Sequence, residues 1–418
     1  MITRSFPLLP FLVLAPLGLN AGDWSQWRGP TLNGIAAPGQ SPPLTWSETE
    51  NVLWKSALPG QGHSSPALVG DRIFLTTSKI SEETQSVLAL DRASGIILWE
   101  TVIAQGQLPE KIHKKNTHAS PSPACVDGKV IVSFHSANHI QLAALDDEGN
   151  ILWNKNAGEY RPQFKFGYGA SPLIVGDLVV ISSEFPRGGF IAAYRLSDGS
   201  QVWTSPRNTW TSYSSPILAT FDGQEQILLP GNRGISAFDP ATGNVLWSGR
   251  GGTKSTCATA VWDNNLVFWS GGFPSKETVA IQVGSGEVAW KQKTKCYEQS
   301  LLAHQGYVYG IDDNGVAYCW KGSDGSIQWR ERLGGPVSSS PILAGGHIYA
   351  SNERGQTFVF RPDPSSFDVV ATNQLGDDLF ATPTFCDSRI YLRVGSSQGE
   401  TRTEHLYCLG SAADPADE

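Results

Sequence analysis

Short runs rich in β-branched and aromatic residues alternate with clusters of Gly, Asn and Asp along most of the chain. No stretch sustains a 3.6-residue apolar period with helix caps, so the pattern predicts an all-β protein built from hairpins. One repeat shows the elements. Ile217-Leu218 opens a strand A, and Asp222-Gly223 turns the chain. Gln226 to Leu229 is strand B, followed by a turn at Gly231 to Gly234. Ile235 to Phe238 is strand C, Ala241-Thr-Gly243 turns again, and Asn244 to Trp247 is strand D. Four short strands in about 40–45 residues is the size of a propeller blade.

The unit recurs. Asp91-Arg-Ala-Ser-Gly95-Ile-Ile-Leu-Trp99, Asp239-Pro-Ala-Thr-Gly243-Asn-Val-Leu-Trp247 and Ser323-Asp-Gly325-Ser-Ile-Gln-Trp329 end in one kind of strand. Trp54, Trp153, Trp203 and Trp290 end related ones. A Ser-Pro-like marker follows each Trp, and the markers fall at Pro66, Pro121, Pro172, Pro216, Ala260, Leu301, Pro341 and Pro383. Eight markers accompany seven Trp, so one aromatic is missing. Counting 12 residues back from Pro383, the interval from Trp54 to Pro66, places the gap at Ala371. The first strand, Asn51 to Lys55, is a D strand with no A, B or C before it. The last repeat, Thr382 to Gly410, has A, B and C but no D. Joining the two closes a ring of eight four-stranded antiparallel blades and removes exposed sheet edges.

Charge and composition then narrow the function classes. With 31 basic and 39 acidic residues the net charge is −8, which argues against a nucleic-acid coat or a general membrane-surface binder. Frequent Gly (44), Pro (26) and Trp (14) suit tight turns between packed strands. Arg4, the apolar run Phe6 to Leu19 and the small Ala21 describe a secretory signal peptide over residues 1–21. The run is too short and too Pro-interrupted for a membrane span, and no cysteine precedes Cys125 to take a lipid. The expected organisation is signal peptide 1–21, N-terminal extension 22–50, propeller 51–410 and disordered tail 411–418, in a periplasmic or secreted protein. The six cysteines show neither a CxxC nor an adjacent pair. Cys319 and Cys408 read as buried packing residues, and a Cys257 to Cys296 bridge is left open.

The strand pair Gly234-Ile-Ser-Ala-Phe-Asp239 and Ala241-Thr-Gly-Asn-Val-Leu-Trp247, repeated from about Val52 to Leu409, resembles the PQQ-like (quinoprotein-type) β-propeller repeat family. In that family the Trp docks between neighbouring blades. The segment Asp23-Trp-Ser-Gln-Trp-Arg-Gly-Pro30 resembles the extension of its exported members, with the Trp and Arg expected on the outside of the ring. The resemblance extends to BamB-like scaffold propellers of outer-membrane β-barrel assembly. It implies a non-enzymatic binding or assembly scaffold, with a PQQ- or metal-dependent oxidoreductase using the channel mouth as the alternative. The related dehydrogenases hold PQQ against adjacent cysteines beside a Ca²⁺, and this chain has no such pair.

Candidate site residues follow from loop position. The D-to-A and B-to-C loops emerge on one face, and variable loops on a rigid scaffold are where binding develops. Two D-to-A loops are long, Trp99 to Pro121 and Trp153 to Pro172, and carry Lys111, His113, Lys114, Lys115, Arg161 and Lys165. They read either as solvated loops or as a site for an anionic ligand or a protein partner. Three residues before each marker, side chains are expected to face the channel mouth: His63, His118, Gly169, Tyr213, Cys257, Glu298, Ser338 and Phe380. His63 and His118, in adjacent blades, read as a hydrogen-bonded structural pair or as sharing a metal or a substrate proton. Asn232-Arg233 and Asn352-Glu-Arg354, in loops on the same face, are further candidates for polar ligand contacts. A monomer is expected.

Overall fold

The computed structural model describes residues 23–207, 209–399 and 401–411. The expected signal peptide and nearly all of the expected tail lie outside them. Eight four-stranded antiparallel sheets form an eight-bladed β-propeller. Blade 4, dissected above, consists of Ile217–Phe221, Gln224–Gly231, Gly234–Phe238 and Val245–Arg250. Blade 8 combines Thr384–Cys386, Arg389–Gln398 and Thr401–Leu409 with the N-terminal Val52–Leu58, whose Trp54 lies opposite Cys408. Arg393 of blade 8, ion-paired to Glu404 at 2.6 Å, also donates to Ser64 Oγ and the Thr76 carbonyl of blade 1. Strand pairing and a buried polar network therefore both close the ring.

The Gly–x–x–x–Trp motif is a joint between blades. The Trp203 indole donates to the Pro240 carbonyl of the next blade at 2.9 Å, and its ring lies on Gly243. Gly243 sits at φ +70°, and a Cβ there would come within 2.3 Å of that ring. Only glycine meets both demands without strain. Trp54 lies in the same way on Gly95, Trp99 on Gly149, Trp153 on Gly199 and Trp290 on Gly325. Trp247 departs from the rule by donating within its own blade, to Gln226 Oε1 at 2.7 Å.

Ala371 occupies the missing Trp position, opposite Val359 as Trp329 is opposite Cys319. In blades 6 and 8 a strand-B tyrosine packs on that Trp: the Tyr309–Trp329 and Tyr391–Trp54 centroids are each 6.0 Å apart. In blade 7 the equivalent Tyr349 stacks instead on Trp46 of the extension, at 6.3 Å and 14°. Asn373 clamps that segment, accepting from the Trp46 N–H and donating to the Leu44 carbonyl. The extension thus supplies the aromatic that the repeat lost.

This corrects the expectation that the extension lies outside the ring. Trp24 and Arg28 are 2% and 1% exposed. The segment crosses the face of the A-to-B turns, bonding to Leu68, Cys125, Ile174, Trp262 and Leu343 of five blades. A ring of eight blades leaves an axial hole and unpaired backbone groups around it, and the extension fills the one and pairs the others. All six cysteines are free, so Cys257 and Cys296 form no bridge, and Cys319 and Cys408 are fully buried. No helix among the described residues is long and apolar enough to cross a membrane.

Candidate functional site

On the opposite face the ring axis opens into a cup of about 320 Å3. Trp27 lines its base, with the indole N–H donating to Thr259 Oγ1 at 2.8 Å. Its neighbour Arg28 is anchored on the Leu301 carbonyl at 2.8 Å and the Pro341 carbonyl at 3.3 Å. A belt of hydroxyls circles the axis, one from each blade: Ser65, Ser122, Ser171, Ser215, Thr259, Ser300, Ser340 and Thr382. The backbone N–H of one belt residue donates to the hydroxyl of the next blade at 2.9–3.1 Å in seven of eight steps, ending with Thr382 to Ser65. The open step is Ser215 to Thr259, where the Trp27 indole takes the hydroxyl. The hydroxyls accept these bonds, and their own protons meet no protein acceptor among the described residues.

The upper wall comes from the residue two positions before each belt hydroxyl: His63, Ser120, Gly169, Tyr213, Cys257, Glu298, Ser338 and Phe380 all line the cup. The expected set is met in seven blades and corrected in one. Ser120-Pro121-Ser122-Pro123 holds two Ser-Pro pairs, and strand A of blade 2 starts at Ala124, after the second. The marker is therefore Pro123, and the channel-facing residue is Ser120. His118 sits in a separate small hollow with Pro121, His135 and Tyr168, and its carbonyl accepts from Gln85 Nε2 at 2.7 Å. His63 and His118 form neither a pair nor a shared site. No cluster of three His, Cys, Asp or Glu side chains able to hold a metal ion exists among the described residues.

Burial keeps most ionisable groups of the cup neutral. His63 stacks on Phe380 at 4.4 Å, and burial, aided by the Arg402 guanidinium, pushes its pKa down to about 3. Burial also raises Cys257, Tyr213 and Tyr297 well above their ordinary values. Lys115, from the long loop of blade 2, reaches across the axis to Glu353 Oε1 at 2.6 Å and lies 3.9 Å from Glu298 Oε2. Ser338 Oγ lies within hydrogen-bonding reach of both carboxyl groups, at 2.6 Å from Glu353 Oε1. Burial raises Glu298 above the usual carboxylate range, opposed by the Ser338 hydroxyl and the Lys115 ammonium beside it.

The remaining sequence candidates scatter. Lys111, Lys114 and Lys165 are exposed, and Arg354 is exposed beside Glu353 but outside the cup. Arg161, paired with Glu159 at 3.1 Å, and Arg233 meet in a second site, an open groove of about 1090 Å3 on the loops of blades 3 and 4. Arg187 and Lys254 complete it, with the Lys254 ammonium 4.8 Å from the Trp210 ring. Sequence reasoning missed the belt, Arg187 and Lys254, and expected Trp27 outside the ring, whereas Glu353 lies in the candidate loop Asn352-Glu-Arg354. The recurring Ser or Thr before each marker was the available signal for the belt.

The family model described as outer membrane protein assembly factor BamB matches residues 39–163, 141–315 and 275–361. The chain belongs to this family. Curated BamB relatives include one from Alkalilimnicola ehrlichii, 23% identical over 225 residues, covering 53% of this chain and 47% of that protein. Another, from Legionella pneumophila, is 22% identical over 114 residues, covering 27% and 29%. The chain thus spans under half the length of these relatives. Among solved structures, BamB from Moraxella catarrhalis superposes with a TM-score of 0.60 at 15% identity, covering 85% of this chain and 96% of that one. A europium-containing methanol dehydrogenase gives 0.65 at 13%, covering 94% and 98%. The quinohemoprotein alcohol dehydrogenase of Comamonas testosteroni gives 0.62 at 12%, covering 94% and 81%. At such identities the likeness shows the fold.

The dehydrogenase likeness makes PQQ the group to test against this BamB-family cup. PQQ is a planar tricarboxylate, and its site needs unspent cations and a metal-binding set. Here the lining lysine, Lys115, is bound to Glu353, and Glu298 stands beside it. Cys257 lines the cup without a neighbouring cysteine. These residues do not fit the quinone with Ca²⁺.

Proposed function

We propose that this protein is an exported, non-enzymatic binding scaffold of the cell envelope that holds an acidic partner segment in the groove on blades 3 and 4. The groove carries the reading. Arg161, Arg187, Arg233 and Lys254 line it with no carboxylate among its lining residues, on a chain of net charge −8. Such a local reversal of sign steers and orients an anionic partner. The amides of Gln163 and Asn232 and the Trp210 ring add polar and flat contact surface. Membership in a family described as an assembly factor supports a scaffold, and so does a cup whose ionisable groups are neutral or paired, with no activated nucleophile. Export rests on the signal-peptide pattern of residues 1–21.

The test uses an oligoglutamate peptide and fluorescence anisotropy. Wild type should bind it in a salt-dependent manner, and the triple variant Arg187→Glu/Arg233→Glu/Lys254→Glu should bind at least about tenfold more weakly. A Lys111→Ala/Lys114→Ala variant should bind like wild type. Equal binding by the triple variant defeats the groove reading. Stoichiometric PQQ uptake with Ca²⁺ and dye-linked alcohol oxidation would replace it with the oxidoreductase alternative.

A further inference from the structure

We infer that the axial cup is a binding site for a neutral, ring-shaped polyhydroxylated molecule, one or two sugar units in size. This goes beyond the scaffold reading, since the cup and the basic groove are lined by different residues. Four observations carry it. Trp27 fills the base of the channel, so the space can trap a ligand where an open channel would pass it. At about 320 Å3 the cup is at the small end of ligand pockets. The hydroxyl belt presents O–H donors that find no protein acceptor among the described residues, a demand met by a ligand rich in oxygen. Above the belt, Phe166, Tyr213, Phe273, Tyr297 and the stacked His63–Phe380 pair offer flat faces to the C–H side of a sugar ring.

Charge selects against other ligands. The Lys115 ammonium is bound to Glu353 at 2.6 Å, the stacked His63 is held neutral by burial, and burial works against charge on Glu298. An anion would face Glu298 and Glu353, and a cation would have to displace Lys115. Either would bury charge that the cup does not compensate. A neutral ligand meets neither penalty, and the free edges of Glu298, Ser338 and Lys115 provide both donors and acceptors for its hydroxyls.

The experiment is a calorimetric and tryptophan-fluorescence titration of the full chain at neutral pH. The probes are glucose, N-acetylglucosamine and cellobiose, with glucosamine and glucuronate as charged analogues. At least one neutral sugar should saturate the cup, and its charged analogues should bind at least about tenfold more weakly. Phe273, 40% exposed on the rim, gives a variant that leaves the core intact. Phe273→Ala should weaken binding about fivefold, and Arg233→Ala should not change it. Lys115→Met, the second variant, should also weaken it by removing a donor. The inference falls if no neutral sugar saturates by about 50 mM. It also falls if the charged analogues bind as well as the neutral sugars, or if both cup variants bind like wild type. Uptake of PQQ in place of sugars would overturn it too.

Discussion

His63 and Glu298 share the cup, and burial displaces their titrations in opposite directions, because a buried site penalises whichever form is charged. The folded protein holds His63 neutral down to about pH 3, whereas an unfolded chain protonates it at its ordinary 6.5. The unfolded state therefore binds more protons in that window, and His63 costs stability as the pH falls through it. For Glu298 the sign is reversed. Its raised pKa gives the folded state the extra proton, and that contribution is lost as the pH rises above the ordinary carboxylate range. His63→Phe keeps the stack on Phe380 and removes the titration. Its melting temperature should fall less than that of wild type between about pH 7 and pH 4. Identical falls would mean that His63 is protonated in the folded protein.

Strands and turns were the most legible level, because each repeat carries its own instructions. The Gly–x–x–x–Trp spacing marks a strand that must cover the next blade and a turn that must receive the previous one. The requirement can be tested by comparing two glycines. Gly243→Ala would add a Cβ 2.3 Å from the Trp203 ring at φ +70°, whereas Gly223, at φ +77°, has nothing within 4 Å. Both changes incur the left-handed backbone cost of about 1–2 kcal/mol. The first should also suffer overpacking and be less stable by a further 1–3 kcal/mol or so in urea unfolding. Equal midpoints would remove the interblade docking account. The same local reasoning misplaced blade 2, where two consecutive Ser-Pro pairs look alike in sequence and only strand pairing from Ala124 selects the second.

At the scale of the whole molecule, the extension completes what the repeats leave undone. Trp46 stands in for the aromatic absent at Ala371, and Trp27 fills the axis. Trp46→Ala should destabilise by about 3–5 kcal/mol, the usual cost of emptying a large aromatic site. Adding Ala371→Trp to that variant should recover part of the loss, while Ala371→Trp alone should not stabilise, since Trp46 already fills the space. Thermal melts of the three variants would check this, and no recovery in the double variant would show that the two indoles do not share a site. The sequence by itself determined the blade, the count of eight, the lost Trp and the closure by the first strand. Each of these is written in residues that recur at nearly constant spacing, because every blade solves the same packing problem with its neighbour. The tertiary structure alone decided which chemistry meets on the axis. Trp27 finds Thr259 across 232 positions and Lys115 finds Glu353 across 238, while His118, two positions out of register, misses the channel. Such contacts join segments far apart in the chain that meet at the ring axis, and they leave no periodic imprint because each occurs once.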